Sequence, residues 1–255
     1  MPNEIIEIHP EYNQYPEIIV FDKNNPTIRS PYSPVDLFFY QTRETLVNPD
    51  DFRSFIKSAE AMFRASREYK AYKSFLIENI GINKCEILGN ITVDDADIEL
   101  HHSIIGLFDI CIMIAIHTIN TVGKITTYDL VQLVIQEHYA NRIPIVFLSK
   151  TVHQLITADP YYYIAPEQTF GQWWELLNRY KYGITYDIAY KVINYLKKYQ
   201  EHTPNSVTVE QQEEILNFAW MNTYGMNKAE CGEIPSMATE INNDGGTTNY
   251  GISFY

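Results

Sequence analysis

Positive charge is scarce in this chain. Its 255 residues hold 19 Lys and Arg against 32 Asp and Glu, a formal net charge of −13. Such a surplus works against binding nucleic acid over the whole surface. The surplus is uneven. Residues 200–255 carry eight acidic side chains and one basic, whereas residues 49–80 carry six basic and five acidic. A local basic surface on the middle of the chain is therefore still expected. Cysteine is scarce as well: Cys85, Cys111 and Cys231 are too few and too odd in number for a disulfide framework, and fit free thiols in a reducing compartment. No apolar run approaches the roughly 18 residues of a membrane span. The nearest, residues 104–119, contains Asp109 and His117 and reads as a buried helix. Gly-x-x-x-x-Gly-Lys-Ser/Thr, Gly-x-Gly-x-x-Gly and Gly-x-Ser-x-Gly are all missing, so nothing suggests a phosphate loop, a dinucleotide fold or a nucleophile elbow. The opening Met-Pro-Asn-Glu-Ile-Ile-Glu is acidic and lacks a charged-then-apolar signal pattern. The cytoplasm of the producing cell is the expected location.

What is present is a large apolar content, 45 %, enough for a sizeable core. Residues 1–48 are rich in Pro, Tyr and Asn and read as an irregular arm with short apolar runs at 18–21 and 37–40. Asn48-Pro49-Asp50-Asp51 opens a helix: Asn caps, Pro suits the first turn, and the aspartates favour the positive end of the helix dipole. Phe52, Phe55, Ile56, Ala59 and Phe63 recur at helical spacing, and the pattern runs on to Gly81. Residues 86–100 read as a hairpin turning on Val93-Asp-Asp-Ala-Asp. Helices follow over 103–120 and 127–140, then a short strand over 143–148. A helix capped by Ser149 runs to about 158. Further helices are expected over 170–180, 185–200 and 208–222, and residues 229–255 lack periodicity. The organisation is thus an arm (1–48), a central region (49–160), a helical region (161–225) and an irregular acidic tail (226–255).

One constellation carries chemistry. Ile98-Glu-Leu-His101-His102 ends a strand in two adjacent imidazoles, which alternation sends to opposite faces. His153 stands near the start of the helix that follows the second strand. One histidine can hold a divalent ion while its neighbour, near its unperturbed pKa, takes a proton from water. Asp94, Asp95, Asp97 and Glu99 form an acidic cluster without the spacing of a calcium loop and read as a solvated turn.

This arrangement of strand, strand and helix resembles the HNH (ββα-metal) endonucleases over about residues 85–157. The resemblance implies an α+β fold, mostly helical, with a small ββα-metal core between irregular terminal arms. It implies His102 as the general base, Asn141 as its orienter, and His101 and His153 as ligands of one divalent metal (Mg, Mn or Zn). Cys85 sits where many members begin a zinc knuckle, although Leu88 stands at its second position. The implied function is hydrolysis of DNA phosphodiester bonds, with DNA as partner and no membrane. The abundance of Tyr, Ile, Asn and Lys adds a phage-like flavour and a virion as an alternative location. Pro144 and Thr157 differ from the family pattern. With the acidic C-terminal region, they support a second reading: a non-catalytic phage or bacterial protein that keeps the scaffold and meets a protein partner through its arms. A third reading is an acidic inhibitor that mimics nucleic acid.

Overall fold

The computed structural model describes residues 4–6, 19–21, 40–158, 163–204 and 208–224. The chain divides into two compact units, Met1–Gln41 and Thr42–Tyr255. In the first, β1 (Glu4–Ile6) pairs antiparallel with β2 (Ile19–Phe21), Ile5 opposite Val20. The expected irregular arm therefore contains a two-stranded sheet. Most of residues 1–39, residues 161–162 of the aromatic linker and the tail over 226–255 lie outside the described residues.

The second unit is an α+β assembly, mostly helical. Helix α1 (Pro49–Ala65) starts as its residues dictate: the Asn48 side chain accepts from the Asp50 N–H at 2.9 Å, and Phe52, Phe55, Ile56, Ala59 and Phe63 are buried. The single helix expected to reach Gly81 is broken. Ser66 leaves helical geometry at φ −64°, ψ 151°, and its hydroxyl caps α2 (Arg67–Phe75) by accepting from the Tyr69 N–H at 3.1 Å. Serine competes for backbone hydrogen bonds, so it turns a continuous apolar pattern into two helices. The chain continues through a π-turn (Leu76–Ile80) and stops at Gly81, φ 81°.

The hairpin expected over 86–100 does not form. Residues 84–95 instead fold into two local turns around an antiparallel bridge between Lys84 and Thr92. Gly89, φ 69°, closes the first with its N–H on the Cys85 carbonyl at 2.7 Å. The Asp95 carboxylate closes the second, accepting from the Thr92 N–H and hydroxyl at 2.9 Å each. Strand β3 (Ile98–His102) finds its partner beyond 42 intervening residues: it pairs antiparallel with β4 (Ile145–Ser149), with Leu100 opposite Phe147 and His101 opposite Val146. Between them run α3 (Leu107–Val122) and α4 (Thr127–Tyr139). Helix α3 is buried on most of its circumference and ends at Gly123, φ 90°. Helix α4 begins with a reciprocal capping box between Thr126 and Asp129 and packs on α1, α2 and α3.

Helix α5 (Lys150–Ala158) leaves β4 directly and packs on both strands, completing a ββα unit. Ser149 does not cap it; its hydroxyl is buried beside the Cys85 thiol. Then come α6 (Trp173–Arg179), α7 (Tyr186–His202) and α8 (Thr208–Tyr224). A 3-10 turn (Lys181–Gly183) presses against α3 so closely that a Cβ on Gly183 would lie 1.8 Å from the Met113 carbonyl oxygen. Only glycine fits that contact. Among the described residues no helix is long and apolar enough to cross a membrane.

Candidate functional site

The site is built on the two faces of β3. Leu100, Ile145 and Phe147 belong to the main core beneath the helices, whereas Val146, Leu148, Val152 and Cys85 form a second, smaller core on the other face. Strand alternation therefore puts His102 with Leu100 on the inner face and Glu99 with His101 on the outer one.

On the inner face, His102 is buried, and its Nε2 lies 3.0 Å from Nε2 of His138 on α4. The Nδ1 of His138 is 2.7 Å from the Val134 carbonyl oxygen. That oxygen only accepts, so His138 Nδ1 carries the proton. Its Nε2 is then a lone pair in the neutral ring, and His102 Nε2–H donates to it. The rings of Phe63, Tyr69 and Tyr72 enclose His138 at centroid distances of 4.6, 6.0 and 5.4 Å. Burial pushes His102 well below the ordinary histidine range, and the neighbouring His138, Arg64 and His101 push it the same way. Burial also lowers His138, to about 4, against the opposing pull of the Val134 carbonyl and Glu137. The pair is neutral and desolvated. In this conformation His102 faces neither solvent nor His101.

On the outer face, His101 and His153 meet edge to face with ring centroids 4.8 Å apart. His153 projects from the first turn of α5 and donates from Nδ1 to the Glu99 carboxylate, Oε2, at 2.5 Å. The Glu99 and His153 side chains are both partly exposed, at 40 % and 30 %. Burial, reinforced by His153, lowers His101 to about 4, so its ring is neutral at neutral pH. The two histidines expected as metal ligands are thus neighbours. Among the described residues, no three His, Cys, Asp or Glu side chains are arranged to hold a metal ion.

Asn141 stands apart from both pairs. It adopts a left-handed backbone, φ 55°, at the end of α4, and its carbonyl accepts from the Gln172 N–H at 2.8 Å. Its side-chain Oδ1 is buried without a hydrogen-bond partner, and among the described residues no hydrogen bond joins it to His102. Cys85 is a buried free thiol. Burial by itself would raise its pKa, but backbone N–H groups of Ser149, Leu88 and Ile87 directed at the sulphur, with the Ser149 side chain, together outweigh that and bring it below the ordinary value.

Sequence reasoning missed three participants. His138 lies within the helix expected over 127–140 and carried no motif of its own, but its partner is His102. Glu137, next to it, is a buried carboxylate that takes hydrogen bonds from Arg142 and from the Tyr180 hydroxyl at 2.7 Å, with Arg179 at 3.2 Å. Glu99 read as part of the solvated acidic turn. A signal for it was available: two residues before His101 on a strand, it had to share that histidine's face.

By architecture the chain is a mostly helical α+β protein with an embedded two-stranded antiparallel sheet and a helix packed on it. It belongs to the bacteriophage G278-like virion protein family, whose pattern matches residues 25–224. The phage-like expectation and the virion as alternative location agree with that membership. No curated protein and no solved structure matches the chain.

Proposed function

We propose that this chain is a structural component of the phage particle in which the ββα unit serves as scaffold rather than as a DNA-cutting site. The observation that carries the reading is the burial of His102 against His138. A general base has to reach water and the scissile phosphate. His102 instead spends its Nε2–H on a neutral partner inside an aromatic cage, with its basicity suppressed by burial. Asn141, the implied orienter, has no bond to it. The acidic balance of the chain further disfavours a DNA substrate, and a protein partner fits the role better.

A second reading, the metal-dependent endonuclease, is favoured by one observation: His101 and His153 stand side by side on the outer face. Their donor chemistry fits a divalent ion, since two neutral imidazoles suit Zn²⁺ or another late transition metal better than Mg²⁺, which prefers oxygen. A metal bound there would stabilise charge developing on a phosphate. Hydrolysis would still need His102 to leave its cage.

Incubation of supercoiled plasmid and single-stranded DNA with Mg²⁺, Mn²⁺ or Zn²⁺ separates the two. The expected result is no cleavage beyond that of His102→Ala. Metal-dependent cleavage by the wild type that disappears in His102→Ala would replace the scaffold reading with the nuclease.

A further inference from the structure

We propose that the exposed cations of α1 and α2 form a docking surface for the acidic outer face of α8 on a second copy of this chain. The inference rests on the reading as a particle component and names its partner. It stands or falls on self-association, whereas that reading is decided by DNA cleavage.

The receiving surface lies first on α1. At 3.6 residues per turn, Arg53, Lys57, Glu60 and Arg64 fall within about 60° of one another around the helix. Arg53, Lys57 and Arg64 are exposed. Glu60 holds Arg64 at 2.8 Å, but among the described residues neither Arg53 nor Lys57 has an ion pair or hydrogen bond. Past the Ser66 break, α2 adds Arg67 and Lys70, both exposed and equally unpaired among the described residues. The complementary surface lies on α8, which carries Glu210, Glu213 and Glu214 and no Lys or Arg. These three carboxylates are exposed and stand on the side of the helix away from the buried Ile215, Phe218 and Ala219. They too have no ion pair among the described residues. The same four-residue step, about 6 Å along an α-helix, separates Arg53 from Lys57 and Glu210 from Glu214, so two pairs can form in register.

Two observations select the occupant. Helix α1 packs on α2, α3 and α4, and α8 packs on α7 and the 3-10 turn, so the monomer holds each face in place. Among the described residues no ion pair joins the two faces, which leaves the α8 of another copy to meet the cations. The α1 surface is also mixed in sign, with Asp50 at the helix start and Glu60 among the cations. A DNA duplex presents a charge about every 1.7 Å of its axis and would meet those acids as repulsion. Discrete carboxylates on a helix can meet the cations and miss the acids. Because the two faces differ, the contact is heterologous and repeats head to tail, giving a ring or a filament. Exposed pairs stabilise little one at a time, so the contact is weak between free copies and gains where neighbouring copies raise the effective concentration.

The test mixes ¹⁴N- and ¹⁵N-labelled full-length chains at high concentration and low salt. A carbodiimide then joins carboxylates to amines in contact, and mass spectrometry reads the linked peptides. Expected are links from Lys57 or Lys70 to Glu210, Glu213 or Glu214 that pair a light with a heavy peptide. They should fade at about 0.5 M NaCl, where screening leaves a Debye length of only a few ångströms. By sedimentation, Arg53→Glu/Lys57→Glu and Glu210→Lys/Glu214→Lys should each be monomeric where the wild type associates. Mixing the two variants should restore association, because each keeps the face the other has lost. Thermal melts identify a variant that fails to fold, and the wild-type links still decide. Links confined to peptides of one isotope would place the contact within a single chain and overturn the proposal, as would the lack of any such link. Binding of duplex DNA that Arg53→Glu/Lys57→Glu abolishes, without self-association of the wild type, would assign the cations to nucleic acid instead.

Discussion

His101 and His102 are adjacent in the chain and sit on opposite faces of one strand, in different surroundings. The outer histidine keeps company with a carboxylate and a second histidine at a partly open surface. The inner one is sealed in the main core against His138 and three aromatic rings. A single residue step along β3 separates them, because a strand sends successive side chains to opposite faces. The same residue type thus serves as a packed hydrogen-bonding core group on one face and as a neighbour of a second, partly exposed histidine on the other. What decides between them is the surface the strand packs on, not the motif.

The sharpest way to break this contrast is to remove the inner partner. His138→Ala deletes a buried ring and leaves the His102 N–H without an acceptor. A cavity and an unsatisfied donor together cost about 3–5 kcal/mol. Urea denaturation should show that loss, a large part of a typical domain's stability. A loss below about 1 kcal/mol would mean that His102 finds another partner. A double-mutant cycle with His102→Leu and His138→Phe should then give a coupling energy of about 0.5–3 kcal/mol, because both residues share one bond.

Acid should distinguish the faces less steeply. His102 and His138 have folded pKa values depressed below the ordinary histidine value, His138 to about 4. The unfolded chain therefore binds more protons than the folded one between about pH 6.5 and 4. Stability is fully present above about pH 6.5 and is lost as pH falls through that window. His101, also lowered to about 4, adds a loss of the same sign. The urea midpoint should be flat above pH 7 and fall below it. The variant His102→Leu/His138→Phe should flatten most of the fall and keep the parts of His101 and of His117, which burial also lowers. An unchanged slope would place the acid sensitivity elsewhere.

Much of this fold was legible, and for local reasons. Asn48 and Pro49, the Thr126–Asp129 pair, and Gly81 and Gly123 mark helix ends through bonds made within a few residues. The misreadings were of two kinds. Ser66 sits inside an apolar pattern that suits one helix, and only its own side-chain bond to Tyr69 N–H breaks it. The hairpin over 86–100 failed because β3 pairs across two helices, and no local pattern encodes a partner 43 or more residues away. The Gly183 contact with Met113 is likewise invisible until α3 and the 3-10 turn are brought together. In the site, the nearness of His101 and His153 followed from the motif, and the inward turn of one histidine followed from alternation. Which one turned inward depended on the core. Phe147 and Leu100 bury one face under the helices, and His102 follows Leu100.

The smallest effect is expected on the outer face, and it closes the contrast. The Glu99–His153 bond joins two side chains that keep much of their contact with water. Exposed ion pairs are screened and cost side-chain entropy to hold, so they stabilise little. In metal-free buffer His153→Ala should therefore shift the urea midpoint by an amount equivalent to less than about 1 kcal/mol, against the several expected for His138→Ala. If this face binds Zn²⁺, saturating Zn²⁺ should narrow the gap, because a ligand that binds only the folded wild type stabilises it by mass action and His153→Ala gains nothing. A zinc-independent difference would leave the outer face as a surface clasp between β3 and α5. A zinc-dependent one would mark it as the face where this scaffold keeps its chemistry.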